Sequence, residues 1–220
     1  MSSTFTATAN SNTTIGYVWY GSTEWEVGSS NGACQGAYMS TSASQSRVGL
    51  MLFSGAGATL KGKIIQSITL SITCSGAGSG SSSKVLSFRR ANVQVFDKSL
   101  RGSAQVGAAL GTLTGKFYSN TTTHTLSASS NAAFFKALSA YLTEGNSALV
   151  LYNGETSKSD GYSTNYARVT SCTLTVSYID AAVWYRDGGE WKQCTVWYRS
   201  GGAWVQVAPY YRKDGAWVRV

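Results

Sequence analysis

The sequence predicts an all-β protein, an antiparallel β-sandwich with one short helix followed by a small C-terminal meander of β-hairpins. Three observations predict it. Apolar residues alternate with polar ones over long stretches, Gly, Ser and Thr are abundant while proline occurs once, at Pro209, and the C-terminal segment repeats one motif three times. Alternation at a period of two marks strands with one wet face. Gly, Ser and Thr serve turns and strand surfaces better than helix interiors. At 220 residues the size fits one main domain, residues 1–180, plus a repeat tail, residues 181–220.

Taken in chain order, the first strand signal runs from Val48 to Phe53. The next is long: Ile64, Gln66, Ile68, Leu70, Ile72 and Cys74 alternate with Lys63, Ile65, Ser67, Thr69, Ser71 and Thr73, and the first set is read as the buried face. Ser75 to Ser83 is loop-like by composition, and Ala91 to Phe96 is a weaker strand candidate. From Asn131 to Leu142 the period changes. Phe134, Phe135, Leu138, Tyr141 and Leu142 recur at three and four, Ser129 or Ser130 stands where a cap is needed, and Gly145 follows the end. This predicts an amphipathic helix packing Phe134, Leu138 and Leu142 over an edge or end of the sandwich. Ala148 to Tyr152 and the alternation Cys172, Leu174, Val176, Tyr178 supply two more strands. Several strands with one wet face predict two packed sheets.

The tail is the most regular part. Trp184-Tyr185-Arg186-Asp187-Gly188-Gly189-Glu190-Trp191, Trp197-Tyr198-Arg199-Ser200-Gly201-Gly202-Ala203-Trp204 and Tyr210-Tyr211-Arg212-Lys213-Asp214-Gly215-Ala216-Trp217 align at a constant offset of thirteen residues. Each reads as two strands about a Gly-containing pair that accepts positive φ, a hairpin signal. Within the second, Trp204 and Gln206 fall on one face and Ala203, Val205 and Val207 on the other. Repeats this short need neighbours or partners to cover an apolar face.

The formal charge of +8 comes from few charged residues. Residues 1–180 hold twelve Lys/Arg against seven Asp/Glu, and residues 181–220 six against three, so no basic block exists. Nucleic-acid binding, which favours a clustered stripe or a recognisable module, is not expected. A diffuse positive field suits approach to an anionic surface, and also serves solubility. Cys34, Cys74, Cys172 and Cys194 lack the paired spacings of zinc sites, so no metal is expected. Buried free thiols are the expectation for them, with a disulfide framework as the alternative. The start, Met1 to Thr6, shows no secretory signal. No apolar run approaches the roughly twenty residues of a membrane span, so membrane insertion is not expected.

Signs of catalysis are weak. The single histidine, His124, sits among small hydroxyl residues rather than beside a nucleophile and an orienting acid. Glu24 and Glu26 flank Trp25 on one prospective strand, whereas a glycosidase places its two carboxylates on either side of the scissile bond. Asp160-Gly161 and Asn153-Gly154 are turn residues; a calcium site at Asp160 would lack the acid density of an EF-hand. The Gly-rich stretches near Gly55 and Gly76 are followed by no Lys-Ser/Thr. A non-enzymatic protein without cofactors is expected.

The run Arg47-Val48-Gly49-Leu50-Met51-Leu52-Phe53, then Leu60-Lys61-Gly62-Lys63-Ile64-Ile65-Gln66-Ser67-Ile68-Thr69-Leu70, resembles the opening of a jelly-roll domain common in phage structural proteins. Ala133 to Tyr178, with Gly145 to Tyr152 and Asn165-Tyr166-Ala167-Arg168-Val169, resembles its second half. The resemblance spans roughly residues 15–179 and implies a tail, baseplate or fibre component of a phage or prophage of Gram-positive bacteria. Residence in a virion or phage-like particle, assembled in the host cytoplasm beside other virion proteins, follows as an expectation. The tail loosely resembles the aromatic-glycine hairpins of choline-binding repeats, but its period and aromatic order differ, so choline specificity does not carry over.

Binding chemistry concentrates in the tail. Sugars present apolar ring faces and hydroxyl rims, which suit a flat aromatic surface beside hydrogen-bonding groups. The candidate ligand-binding residues are Trp191, Trp204 and Trp217 with Arg186, Arg199, Arg212, Tyr185, Tyr198 and Tyr211. A cell-wall glycan or other surface polymer is the expected partner, and three linked sites would gain avidity on a repeating polymer. Cross-strand packing of the same aromatics is the competing reading. A third is self-assembly, in which the tail joins protomers into a homo-oligomer such as a trimer or docks them on a larger particle.

Overall fold

The computed structural model describes residues 2–9, 13–19, 25–28, 32–39, 44–76, 82–94, 106–155, 161–180, 183–194, 196–206, 210–213 and 216–219; for 13–19, 25–28, 44–45, 183–186, 191–194, 206, 210–213 and 216–219 the backbone alone is described. Up to Ile179 the elements are β1 (Ser3–Ala9), β2 (Thr13–Trp19), β3 (Trp25–Gly28), β4 (Ala33–Met39), β5 (Ser44–Leu52), α1 (Ala56–Leu60), β6 (Ile64–Ser75), β7 (Lys84–Ala91), β8 (Val106–Gly115), β9 (Thr121–Leu126), α2 (Ala132–Thr143), β10 (Ala148–Leu151), β11 (Gly161–Tyr162) and β12 (Ala167–Ile179). All pairings are antiparallel.

The pairing is nested. β4 pairs with β12, β5 with β10, β6 with β9 and β7 with β8, so the outermost strands of the series meet and the innermost form a hairpin. This places β4-β12-β6-β9 in one sheet and β5-β10-β7-β8 in the other, the two-Greek-key arrangement of a jelly-roll sandwich. β4 also pairs with β5, which joins the two sheets at a corner. β1 extends β12, β2 and β3 extend β5, and β11 caps β4.

The core lies between the sheets. Phe53, Phe88, Phe117, Ile68, Leu70 and Leu174 have almost no exposed surface, and each such side chain contributes roughly 1.5–3 kcal/mol by leaving water. Two polar side chains are equally buried because each serves backbone groups at the corner. Gln35 donates to Val85 O (2.6 Å) and Asn165 O (3.0 Å) and accepts from Ser87 N (2.9 Å). Lys84 Nζ donates to Tyr166 O (2.7 Å) and lies 5.5 Å from the Tyr118 ring centroid. Burial holds the Lys84 amine below its ordinary pKa, against the opposing pull of Cys74.

Helix α2 packs Phe134, Leu138, Tyr141 and Leu142 inward, with Phe134 5.2 Å from Phe88. Neither expected serine caps it. Ser127 and Ser130 exchange backbone hydrogen bonds (2.8 and 3.2 Å) and Ser127 Oγ accepts from Ser130 N, so the serines build the preceding turn. The N-cap is Asn131 at φ 54°, with no side-chain cap; Asn tolerates that left-handed geometry better than most residues. At the other end Gly145, φ 100°, donates to Leu142 O.

Two strand expectations are corrected. In β6 the buried set is Ile65, Ile68, Leu70, Ile72 and Cys74, while Gln66 is exposed. Tyr178 pairs with Ile65 and Ser177 with Ser67, so Gln66 is the extra residue of a β-bulge that inverts the phase before it. The strand placed at Ala91 to Phe96 instead runs Lys84–Ala91. Asn92 to Gln94 follow it outside any strand, and Phe96 lies outside the described residues. Cys34, Cys74 and Cys172 are buried free thiols, as expected, whereas the side chain of Cys194 is not described.

Candidate functional site

Beyond Ile179 come β13 (Val183–Asp187), β14 (Glu190–Cys194), β15 (Trp197–Ser200), β16 (Ala203–Gln206), β17 (Tyr210–Lys213) and β18 (Ala216–Arg219). They form three hairpins, one per sequence repeat. Among the described residues each hairpin is a two-stranded sheet of its own rather than part of one continuous ladder. Gly188 and Gly189 have φ of 60° and 91°, Gly201 and Gly202 of 58° and 86°. Positive φ at both central residues is the two-residue turn whose twist matches its strands. Non-Gly residues would be strained there, which explains the Gly-Gly pairs.

The register repeats with the sequence. Arg186 pairs with Trp191, Arg199 with Trp204 and Arg212 with Trp217. Directly opposed residues share a face in an antiparallel pair, so each repeat sets an Arg and a Trp position side by side. In the second hairpin Trp197 pairs with Gln206, two positions along from the Arg199–Trp204 pair, and so joins their face. Trp197 and Trp204 are 53% and 66% exposed. Arg199 is exposed as well.

Tyr198 belongs elsewhere. It pairs with Val205 on the opposite face, where both are exposed. The alignment treats Tyr, Arg and Trp as one set, yet the register brings Arg199 and Trp204 together with Trp197 and separates Tyr198 from them. Tyr185 and Tyr211 pair with Lys192 and Val218 at the equivalent positions. The side chains of Tyr185, Arg186, Trp191, Tyr211, Arg212 and Trp217 lie outside the described residues. Counting outward from the Gly-Gly turn would have found Trp197 in the sequence.

The residues weighed for catalysis stand apart. His124 lies on β9 opposite Leu70, 5.6 Å from the Phe117 ring, and burial lowers its pKa below the ordinary 6.5. The side chain of Glu26 is not described, and Glu24 and Asp160 lie outside the described residues. Among the described residues no group of three His, Cys, Asp or Glu side chains is arranged to hold a metal ion. No described helix is long and apolar enough to cross a membrane. Fold and site together define a jelly-roll sandwich that carries an array of aromatic-basic hairpins. No protein-family model and no curated protein matches the chain.

Proposed function

We propose that this is a non-enzymatic structural protein of a phage or prophage particle, a tail, baseplate or fibre component, whose hairpin array contributes to attachment to host surface carbohydrate. The observation that carries the reading is the exposed face Trp197-Arg199-Trp204, with the same Arg–Trp register in all three hairpins. Flat indole surface beside a guanidinium matches the C–H face and hydroxyl rim of a sugar. Threefold repetition multiplies weak contacts on a repeating polymer. The jelly-roll body is a rigid carrier for such contacts; the phage assignment itself rests on the sequence resemblance.

Sedimentation of the protein with purified Gram-positive cell walls tests the reading. Wild type co-sediments, and the triple variant Trp191→Ala, Trp204→Ala, Trp217→Ala loses at least about tenfold in affinity while the body keeps its unfolding midpoint. Undiminished wall binding by the triple variant refutes it.

A second reading has its own observation. Tyr198 and Val205 are 60% and 46% exposed on the face opposite Trp204, so this hairpin buries neither side. A lone two-stranded hairpin is marginal in water, and contact with hairpins of other copies would cover one face while the other meets ligand. Sedimentation equilibrium distinguishes this role: an oligomer that dissociates in Tyr198→Ser/Val205→Ser but still binds walls assigns that face to assembly.

A further inference from the structure

The register of the tail sorts its charges as well as its rings. In the first hairpin Asp187 pairs with Glu190, one step from the Arg186–Trp191 pair, so both carboxylates belong to the opposite face, where they are exposed. The second hairpin holds no acidic residue from Trp197 to Gln206. Asp214, the remaining acid of the tail, lies outside the described residues. Arg199 is exposed, and among the described residues none forms an ion pair with it. Its guanidinium keeps both its charge and its fork of donors open to solvent.

Each hairpin also follows one four-position plan. Trp184 pairs with Gln193, Trp197 with Gln206 and Tyr210 with Arg219, each pair two positions along from an Arg–Trp pair and therefore on its face. Aromatic positions take one diagonal of that face and hydrogen-bonding positions the other. The arginine position of the Arg–Trp pair adjoins both aromatic ones. The first lies directly across, at roughly 4.5–5.5 Å between Cβ atoms, and the second two residues along the same strand, at roughly 6.7 Å.

We propose that the polymer read by these hairpins carries its negative charge in the linkage between sugars: a phosphodiester-linked glycan, with the arginine on the phosphate and the flanking rings on the two neighbouring sugars. The inference rests on the carbohydrate reading above and narrows it. A guanidinium grips a phosphate through two parallel hydrogen bonds, whereas a neutral glycan would use its donors but not its charge. A uronate bears its carboxylate on the sugar ring itself. A phosphodiester instead sets the anion between two rings, which is where the arginine position stands. Single-stranded nucleic acid shares that linkage, but it calls for a basic groove that follows the backbone. Here the second polar position is an uncharged donor and acceptor in two hairpins, Gln193 and Gln206, suited to a sugar hydroxyl, and is basic only in the third, at Arg219.

The test is co-sedimentation of the full chain with purified Gram-positive walls, either intact or stripped of phosphodiester polymer by hydrofluoric acid. Stripping is expected to weaken binding by about tenfold or more. Free sugar-substituted poly(ribitol phosphate) competes for intact walls better than hyaluronate, a carboxylate polymer, or poly(dT). The triple variant Arg186→Gln, Arg199→Gln, Arg212→Gln loses about tenfold or more in affinity for intact walls, and its remaining binding no longer weakens with added salt. Equal binding to intact and stripped walls, or undiminished binding by the arginine variant, overturns this proposal and leaves the carbohydrate reading standing. Stronger competition by hyaluronate or poly(dT) assigns the face to another anion and overturns it as well. A wild type that binds neither wall preparation removes the carbohydrate reading and this inference together. If the arginine variant loses the amide protection of its hairpins, the comparison of the two wall preparations with wild type still decides.

Discussion

Cys74 and Cys172 show how far the interior of the sandwich controls individual groups. Burial is the main cause that pushes both thiols up to about 12 from an ordinary 9.0, so the reactive thiolate is suppressed at neutral pH. Iodoacetamide at pH 7.5 is therefore expected to leave Cys74 and Cys172 unmodified in the native protein and to label both in denaturant, read by peptide mass spectrometry; modification of Cys172 at the unfolded-state rate would contradict this. The same shifts set the alkaline behaviour. Between pH 9 and about 12 the unfolded chain gives up these two protons while the folded one keeps them, so stability falls as pH rises through that window. His124 acts on the acid side. Its folded pKa lies below 6.5, the unfolded chain binds its proton first, and stability falls as pH drops below about 6.5. His124→Gln should flatten the dependence of the thermal midpoint between pH 7 and 5, and an unchanged slope would remove His124 as its source.

At the level of elements, close approach and turn geometry decide what each piece tolerates. α1 lies so near the end of α2 that a Cβ on Gly57 would sit 2.1 Å from Gly145 O. Gly57→Ala should cost about 1–3 kcal/mol by overpacking, seen as a lower denaturant midpoint at unchanged slope. Gly202, at φ 86° with open space around it, isolates backbone strain: Gly202→Ala should melt the β15–β16 hairpin alone, with loss of amide protection there and an unchanged body. Much of this was legible beforehand. β6, β12, α2 and the hairpin turns announce themselves because the alternation of Leu70, Ile72 and Cys74, the spacing of Phe134, Leu138 and Leu142, and the Gly pairs are local patterns. β1, β2 and β4 were not: Phe5, Ala7 and Ala9 do alternate with Thr4, Thr6 and Thr8 in β1, but side chains as small as Ala give a faint apolar signal, and such strands depend on their long-range partners. Periodicity also cannot register an inserted residue, so the bulge at Gln66 inverts the expected face of β6 before it, while Ile68, Leu70, Ile72 and Cys74 keep it. In the tail the repeat exposed the Arg and Trp positions, but only the pairing register could part Tyr198 from Arg199. The contact between the Tyr38 and Tyr162 rings, whose centroids lie 4.4 Å apart, is illegible for the same reason, since the two residues are far apart in the chain and nothing local links them.

For the whole molecule, the contrast is between a body that encloses its apolar side chains and a hairpin that displays them. The sandwich joins both sheets at the β4 corner and buries Phe53, Phe88 and Phe117 almost completely, which favours one cooperative transition. Among the described residues the three hairpins share no strand ladder with it or with each other, and local units with few buried contacts open at lower free energy than a core. Tryptophan separates the two parts spectroscopically, because Trp184, Trp191, Trp197, Trp204 and Trp217 are in the tail and only Trp19 and Trp25 in the body. Thermal unfolding followed by Trp emission should therefore begin from a red-shifted spectrum and precede the transition followed by exposure of Cys74 and Cys172 to a thiol reagent. If hairpins of separate copies cover one another, the Trp transition alone will move upward with protein concentration, since association stabilises only the state that binds. Coincident transitions at every concentration would instead mean that the tail packs on its own body as part of a single cooperative unit.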